Sequence, residues 1–490
     1  MHVTDVVHIG KHEGVAAGST VCDLLHYVRL LLVLCICSLL IACGARSKDI
    51  TTTYAERNAV ADIKNLSQDP TAYLTSDADV PMMTPEEQAV QFAAFKEKHF
   101  AAWRMKKVTK KRKDAFWGTY AFTRRTGYAE NLLPWSKETM NVLVEQQNIQ
   151  AYPSMCRYAI TVRHSSLRIL PTIKPYFKNP ELAGEGFPFD YFQNSAVHTG
   201  TPLFVTHSTV SGEWVYAETA YASGWIPVTD IAYVTSEQKK RFMKGALHAL
   251  TYDDISLHTT TGRFLSKVFV GAAFPEAIEM KVAKRETELA KCPTDDVTVL
   301  VPSRDLQGNA HFFPVAVSLR YIAKIPAILT PRAMATLASH IVGQRYGWGG
   351  LFENRDCSST MRDLFTLFGV WLPRNSRSQA ARGAEGISLK DLTPQEKRKI
   401  IIEKGIPFFS LIAMKGHIGL YIGQDPATCR PLLLHDIWGV RTFDDDREGR
   451  AIIGCLCITT LRLGEERSDV KKDSFYNKLN KLQVKPGTWK

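Results

Sequence analysis

The sequence lacks the cysteine pattern of a zinc protein or of a disulfide-stabilised domain. Of its ten cysteines, four lie in or before an N-terminal apolar segment and the other six are scattered. No pair combines zinc-type spacing with nearby histidines. Cys455 and Cys457 share one face of a predicted strand, but thiols at such adjacent positions seldom form a disulfide, and we interpret both as core residues. We therefore predict no metal and no cofactor.

The sequence also offers little from which to build a membrane span. Its N-terminal apolar run, residues 30–42, is 13 residues long with Ser38 counted as neutral. This length is too short to cross a bilayer comfortably and fits the core of a signal peptide. Residues 40–44, which end in Cys43 and Gly44, resemble the lipobox of bacterial lipoproteins. A plain signal peptide or an uncleaved signal anchor is the alternative.

The lipobox resemblance implies a location. Cys43 would be acylated and become the first residue of the mature chain. Because Gly44 follows it instead of Asp, the resemblance implies a lipid anchor in the cell envelope of a Gram-negative bacterium, at the periplasmic face of the outer membrane.

Nucleic-acid binding has little support, although the chain is basic. The formal net charge is +12, from 61 basic and 49 acidic residues, which favours an anionic polymer or lipid surface as partner. Basic residues scattered over a large surface explain the same number. The basic run at residues 104–113 has no interleaved aromatic residues on which bases would stack. We predict a solvated face there and no nucleic-acid partner.

Changes in composition and periodicity divide the chain into domains. Residues 44–80 are polar and rich in Thr, Ser and Asp, as in a tether. A helix begins at Thr84 and Pro85, a cap followed by proline in the first turn. From residue 156 the apolar period changes to two, with Gly, Ser, Asn and Pro between the short runs. This pattern predicts two small barrels, and residues 214–227 resemble the bacterial SH3-type pattern.

The boundaries and strands follow from these changes. The predicted segments are a signal peptide (1–43), a tether (44–80), a helical N-terminal domain (81–155), a first SH3-type barrel (156–236), a second SH3-type barrel (250–318), an α+β domain (330–465) and a basic C-terminal tail (466–490). The predicted strands are 158–163, 203–207, 214–217 and 225–228 in the first barrel, and 268–270, 278–282, 297–301 and 312–317 in the second. Residues 318–329 are predicted to be a linker, before a helix capped by Thr330.

The α+β domain contains the passage that points most directly to chemistry. Tyr346 opens the stretch Tyr-Gly-Trp-Gly-Gly, and Asp356, Cys357 and Ser358 precede apolar residues at helical spacing. Cys357 therefore lies where a loop meets a helix. The partial positive charge of a helix N-terminus lowers a cysteine pKa and stabilises the thiolate, which is the nucleophilic form. A lone cysteine is more often a core thiol, but Gly, Asn, Arg, Asp and Ser flank this one.

Two histidines are candidates for the base. His417 begins a predicted strand with glycines on both sides, which suggests close approach of backbone. His435 follows the next predicted strand, at residues 432–434. It could accept a hydrogen bond from His417 and fix its tautomer, which is the orienting role in a Cys–His pair.

Together these motifs resemble the NlpC-type cell-wall cysteine peptidases, which have a circularly permuted papain-like fold. The family pattern is Tyr-x-Trp-Gly-Gly, Asp-Cys-Ser, Leu-Pro-Arg-x-Ser, His-Val-Gly-x-Tyr-x-Gly and a polar third residue. Here it falls on residues 346–350, 356–358, 372–376 and 417–423 and on His435. Two departures are the long interval between the histidines and the absence of Gly-Asp at 407–411.

The resemblance implies an α+β multidomain chain in which a helical domain and two SH3-type barrels precede the catalytic domain. This order is similar to that of the γ-D-glutamyl-L-diamino acid endopeptidases. Cys357 would be the nucleophile, His417 its base and His435 the third residue. The Tyr346 hydroxyl would help to stabilise the oxyanion. The implied partner is the peptidoglycan stem peptide L-Ala-γ-D-Glu-diaminopimelate, and we expect a monomer.

The implied specificity rests on Asp356, which in relatives of this architecture binds the free α-amine of L-Ala. Ser358 and Ser376 would assist it. The alternative is that Asp356 only caps the helix. Three residues of the first barrel are further candidates for a wall of the site: Asp190, Tyr191 and Tyr221. Two other functions stay open, namely a cell-wall-binding adaptor with a degenerate peptidase, and an amidase or acyl transferase on the same fold.

Overall fold

The computed structural model describes residues 60–277, 295–444 and 447–487. The predicted signal peptide (1–43), the lipidation at Cys43, the first part of the predicted tether and the predicted strand 278–282 lie outside the described residues. Within those three ranges, no helix has the length and the apolar character needed to cross a membrane.

Short helices make up the N-terminal part of the described chain. They are α1 (Ala61–Asn65), α2 (Pro85–His99), α3 (Ala101–Arg104), α4 (Arg112–Ala115), α5 (Trp117–Phe122) and α6 (Lys137–Gln146), with 3-10 turns at Pro70–Tyr73 and Ile149–Ala151. Helix α2 begins as predicted: Thr84 accepts a hydrogen bond from the Glu87 N–H, and the Glu87 carboxylate accepts one from the Thr84 N–H. This reciprocal cap satisfies two N–H groups that the helix leaves open.

The prediction of a tether was wrong for residues 60–80. Val60 is buried, and the Asp62 carboxylate accepts hydrogen bonds from the backbone and hydroxyl of Thr460. The Gln68 side chain donates to the Ile458 carbonyl and accepts from its N–H. Residues 447–460 form the edge strand of a sheet, whose outer backbone groups need partners. Polar side chains of residues 60–80 supply these partners. The polar residues that suggested a tether therefore attach the segment to the edge of the sheet.

The first barrel is a sheet of seven antiparallel strands in the order β3-β2-β6-β5-β4-β1-β7. The strands are β1 (Arg157–Thr161), β2 (Ser165–Arg168), β3 (Gln193–Val197), β4 (Pro202–Ser208), β5 (Trp214–Glu218), β6 (Ser223–Pro227) and β7 (Ile231–Tyr233). Each of the four predicted strands overlaps an observed one. The long connection between β2 and β3, residues 169–192, carries aromatic side chains to the α+β domain.

After helix α7 (Ser236–Lys244), the second barrel is assembled from three small sheets, β11-β8-β14, β10-β9 and β12-β13. The strands are β8 (Leu247–Leu250), β9 (Ile255–His258), β10 (Phe264–Val268), β11 (Ala273–Pro275), β12 (Asp296–Arg304), β13 (Ala310–Ser318) and β14 (Ile322–Lys324). The predicted strand 268–270 was misplaced, because β10 ends where it was expected to begin. The predicted linker 318–329 contains β14, which pairs with β8 and extends the barrel beyond residue 318.

The α+β domain packs helices against a six-stranded sheet in the order β15-β20-β16-β17-β18-β19. The helices are α8 (Pro331–Ser339), α9 (Cys357–Thr366), α10 (Ser376–Ala381), α11 (Pro394–Lys404) and α12 (Ser474–Lys478). The strands are β15 (Gly383–Ser388), β16 (Leu411–Met414), β17 (His417–Gln424), β18 (Pro431–Asp444), β19 (Arg447–Thr460) and β20 (Leu479–Pro486). Thr330 caps α8 as predicted. Helix α9 packs its apolar face into a core that extends into the helical domain and the second barrel.

The predicted tail at 466–490 was wrong. Strand β20 lies inside the sheet, paired with β15 on one side and β16 on the other. Its Leu482 and Val484 are buried. Lysines on both sides of these two residues gave the segment its basic composition, which hid the strand. Strand β18 also continues past His435, because it forms a long hairpin with β19.

Candidate active site

Cys357 is the first residue of helix α9, and the local sequence explains why the helix begins there. The Asp356 side chain accepts hydrogen bonds from the N–H groups of Ser358 (3.1 Å) and Ser359 (2.8 Å). The Ser359 hydroxyl in turn accepts one from the Asp356 N–H. This reciprocal cap fixes the chain at the junction. It places the sulfur at the positive end of the helix dipole, with 7% of the residue exposed.

The histidines form a hydrogen-bonded chain behind the cysteine. His417 Nε2 lies 2.7 Å from His435 Nδ1, and His435 Nε2 lies 2.9 Å from the Thr459 hydroxyl oxygen. That hydroxyl donates its own hydrogen to the Thr460 carbonyl, so it accepts from His435 Nε2–H. His435 Nδ1 then carries a lone pair and accepts from His417 Nε2–H. This network assigns the tautomers and leaves Nδ1 of His417 unprotonated, ready to act as a base.

The cysteine and the base strand are neighbours. The Ile418 N–H, one residue after His417, donates to the Cys357 sulfur. Burial lowers the His417 pKa to about 4, although the negative charge of Asp356 opposes the shift. Burial also lowers the pKa of His435. At neutral pH both imidazoles are therefore uncharged.

The expected lowering of the cysteine pKa was wrong. Burial raises the pKa of the Cys357 thiol, and the Asp356 carboxylate raises it further. A helix terminus contributes about 0.3–1 kcal/mol in most settings. That is less than the cost of placing a thiolate in a buried site beside a carboxylate. The resting pair is a neutral thiol and a neutral imidazole.

Asp356 is paired with Arg374, which sequence reasoning had not singled out for a role. Arg374 Nη2 lies 2.8 Å from Asp356 Oδ2 and Nη1 lies 3.1 Å from Oδ1, while Nε donates to the Ser195 hydroxyl of the first barrel. The Gly349 N–H donates to Oδ2 as well. Burial would raise the pKa of Asp356, but Arg374 and the cap hydrogen bonds hold it below its usual range. Asp356 thus caps the helix, as the alternative prediction stated, and carries a buried ion pair.

A cleft of about 620 Å³ opens in front of Cys357. The predicted substrate-binding residues Tyr346, Asp356, Ser358 and Ser376 all line it. The first barrel contributes Tyr191, Tyr221 and Glu218, and the helical domain contributes Lys110 and Trp117. Three domains therefore build the cleft. Asp190 has a different place, because its carboxylate is buried in an ion pair with Arg168 at 2.7 Å, where it holds the loop before β3.

Glu218 is a second cleft residue that the sequence analysis missed. It is 9% exposed, and among the described residues its Oε1 has no hydrogen-bond partner. Its Oε2 lies 3.8 Å from Lys110 Nζ. Burial raises the pKa of Glu218, and Lys110 opposes the shift. The sequence shows that Glu218 lies at the end of a strand of the SH3-type pattern. Neighbouring residues do not show that this end of the strand faces another domain.

The described residues contain no group of three or more His, Cys, Asp and Glu side chains arranged to hold a metal ion. The chemistry of the cleft can be built from the thiol, the imidazoles and the hydrogen-bond donors around them.

Three stretches of the chain match known families. The N-terminal stabilising domain of NlpC/P60 proteins matches residues 32–152, an SH3 domain of the SH3b1 type matches 175–227, and the NlpC/P60 family matches 343–428. The chain carries the domains of the NlpC/P60 family. The NlpC/P60 match contains Tyr346, Cys357 and His417 and ends before His435. The stabilising-domain match begins ahead of the predicted boundary at 81, in accord with the docked segment 60–80.

Solved structures and curated proteins give two further relatives. An NlpC/P60 endopeptidase from Photobacterium damselae subsp. piscicida superposes with a TM-score of 0.76 at 23% identity, covering 86% of this chain and 98% of that one. This likeness shows that the two chains share a fold. The probable endopeptidase Cgl2188 of Corynebacterium glutamicum is 25% identical over 148 residues, 30% of this chain. The match spans 65% of that protein, slightly under two thirds of its length.

Proposed function

We propose that the protein is a cysteine endopeptidase that hydrolyses the γ-D-Glu–diaminopimelate bond of peptidoglycan stem peptides. The observation that carries the proposal is the placement of Cys357. It begins a capped helix at the floor of a cleft, beside a hydrogen-bonded chain of His417, His435 and Thr459. The family domains and the two relatives named as endopeptidases support a peptidase of the cell wall.

The mechanism follows from the neutral resting pair. His417 Nδ1 takes the thiol proton as the Cys357 sulfur attacks the γ-glutamyl carbonyl carbon. The Cys357 N–H and the Tyr346 hydroxyl stabilise the resulting oxyanion. The tetrahedral intermediate collapses as the C–N bond breaks, and His417 gives its proton to the leaving amine. A water molecule, deprotonated by His417, then attacks the thioester and releases the glutamyl carboxylate with restoration of the thiol.

We expect the acid limb of kcat/KM to have its midpoint near pH 4. The neutral imidazole is the active form, and burial lowers the His417 pKa to about 4, so activity is retained below pH 6 and lost as His417 takes up a proton. The measurement is the pH profile of kcat/KM with the free tripeptide L-Ala-γ-D-Glu-diaminopimelate as substrate. An acid limb centred near pH 6.5, the ordinary value for histidine, would contradict this arrangement.

Loss of fold has to be separated from this titration. Burial also lowers the His99 pKa to about 4, so His99 and His417 both bind protons more readily in the unfolded chain. The stability they contribute is complete above about pH 6.5 and declines as pH falls towards 4. Circular dichroism at each pH measures the folded fraction, and the activity lost while the protein remains folded reports the protonation of the base.

We infer that the cleft selects a free N-terminal L-Ala, with Glu218 as the ammonium partner alongside Asp356. Arg374 already neutralises Asp356, whereas Oε1 of Glu218 is buried and unpartnered among the described residues. A substrate ammonium there forms a charge-assisted hydrogen bond. A blocked peptide leaves the carboxyl group unpaired, which costs far more than the lost contact alone. The Ser358 and Ser376 hydroxyls offer further partners in the same cleft.

The test compares two substrates by mass spectrometry: free L-Ala-γ-D-Glu-diaminopimelate, and the same stem attached to muramic acid. We expect cleavage of the free peptide alone. The variant Glu218→Gln should lower kcat/KM on it by about 10- to 100-fold, the value of one charged hydrogen bond. Glu213→Gln, at an exposed position of the same barrel, is the matched control and should behave as the parent.

The outcomes also separate the alternatives. Equal cleavage of both substrates would keep the endopeptidase and discard the amine requirement. Release of the intact stem from muramic acid would indicate an amidase. Cleavage of neither, with the protein folded, would favour a wall-binding adaptor.

A further inference from the structure

An aromatic patch continues from the cleft onto the protein surface. Phe187 and Phe352 are 59% and 69% exposed, and Trp438 lies beside them, partly buried. They come from three separate segments: the loop before β3, the 3-10 segment Trp348–Glu353 and the β18–β19 hairpin. We call Phe187, Phe352 and Trp438 the aromatic platform.

The platform is continuous with the catalytic cleft. The Phe187 ring centre lies 6.3 Å from that of Phe352 and 6.2 Å from that of Trp438. The Trp438 ring centre is 6.0 Å from that of Tyr346, which lines the cleft beside Cys357. Phe189 fills the space between, within 6.5 Å of both Trp438 and Tyr346. The rings therefore form an unbroken path from the nucleophile to the rim.

Packing does not account for the platform. Two phenylalanines that keep more than half of their surface in water contribute little to a core, and contiguous exposed apolar surface usually marks a binding site. Phe352 also has a backbone φ of +58°, which is unfavourable for a bulky side chain. Strain of this kind is found where function requires a side chain to be held in place.

We propose that the aromatic platform stacks against a pyranose ring of the glycan strand, as part of recognising cross-linked peptidoglycan. The proposal rests on the proposed function, because the glycan is covalently joined to the peptides that enter the cleft. One face of a hexopyranose ring carries C–H groups and packs on an aromatic face, while its hydroxyl groups need polar partners at the edge. The guanidinium of Arg450, which packs against Gly184 of the same loop as Phe187, offers a polar partner of this kind.

The chemistry of the substrate identifies the glycan strand to which this sugar belongs. A stem with a free L-Ala end has no muramic acid of its own. The sugar must therefore belong to the strand reached through the cross-link at the diaminopimelate end. An apolar peptide is the other possible occupant of an aromatic surface, but wall peptides are short and polar, and they match it poorly.

The first test measures binding to the full chain without reference to hydrolysis. The probe is chitotetraose, a soluble β-1,4-linked N-acetylglucosamine tetramer, and the readout is intrinsic tryptophan fluorescence, to which Trp438 contributes. We expect a saturable change, with the dissociation constant raised about fivefold in Phe187→Ala and in Phe352→Ala, as loss of one stacked ring predicts. Phe264→Ala removes a ring that is 55% exposed on the second barrel and should leave binding unchanged. No saturable change, or equal binding by all variants, would overturn the proposal.

The second test separates the platform from the proposed activity. On free tripeptide the two platform variants should match the parent. On cross-linked dimers in which one stem has a free L-Ala end and the other stem carries the disaccharide, their kcat/KM should fall about fivefold. Equal rates of parent and variants on the dimers would count against the platform while leaving the endopeptidase intact. If no protein cleaves either substrate, the proposed function fails, and the chitotetraose titration still decides whether the platform binds sugar.

Discussion

Replacing Cys357 by serine is expected to lower kcat/KM on the free tripeptide by about a thousandfold or more. The resting pair is neutral, so the reaction depends on proton transfer from the nucleophile to His417 during attack. A serine hydroxyl is a much weaker acid than a thiol, and burial lowers the pKa of His417 to about 4, so this imidazole is a poor base for it. Losses of this size are typical when the nucleophile of a concerted catalytic group is removed. Steady-state kinetics with mass-spectrometric detection of products measures the effect.

Cys156→Ser is the control for this experiment. Cys156 is exposed and lies at the start of the first barrel, away from the cleft, so its replacement should change the rate less than twofold. Both variants should unfold at the same temperature as the parent, because serine occupies nearly the same volume as cysteine. Retention of activity in Cys357→Ser would remove the nucleophile assignment and, with it, the mechanism.

Local sequence predicted the parts of the site that are built locally. The cap formed by Asp356 and Ser359 and the start of α9 at Cys357 depend on residues that are neighbours in the chain, so their pattern is visible in one dimension. The strand position of His417 follows from glycine spacing in the same way. The contact between His417 and His435 was expected because the two histidines belong to consecutive predicted strands.

Features that depend on distant segments were not predictable. The composition of β20 predicts a basic tail, and its role in the sheet becomes evident only from its pairing with β15 and β16. Gln68 belongs to a segment with the composition of a tether, and its role depends on the open edge of β19. Glu218 and Arg374 matter because another domain covers them. The pKa of Cys357 was misjudged for the same reason: the helix terminus is a local property, whereas burial and the field of Asp356 depend on the assembled site.

Replacing Arg355 by methionine is expected to lower the free energy of unfolding by about 3–5 kcal/mol, the usual cost of leaving buried carboxylates unpaired. Arg355 is 3% exposed. Its two terminal nitrogens bind both oxygens of Asp253 in the second barrel at 2.7 and 2.9 Å, and its Nε lies 2.7 Å from Asp363 of helix α9. Methionine fills similar space but leaves both carboxylates without their main partner. Urea unfolding followed by circular dichroism measures the loss.

The same residue ties the second barrel to the catalytic loop, so we expect catalysis to weaken as well. Arg355 immediately precedes Asp356, and its carbonyl accepts a hydrogen bond from the Gly347 N–H beside Tyr346. Asp253→Asn keeps the shape and removes the charge. It should cost about 1–2 kcal/mol and lower kcat more than it raises KM, because the oxyanion donors are displaced rather than the ammonium site.

Asp254→Asn is the matched control, since its side chain is exposed on the same turn and, among the described residues, forms an ion pair with a surface lysine. In a double-mutant cycle, Arg355→Met combined with Asp253→Asn should cost less than the sum of the single changes, because each removes the same ion pair. Additive costs would mean that the two residues act independently. In that case the second barrel would serve as a spacer, and the loop that carries Cys357 would be held by the catalytic domain alone.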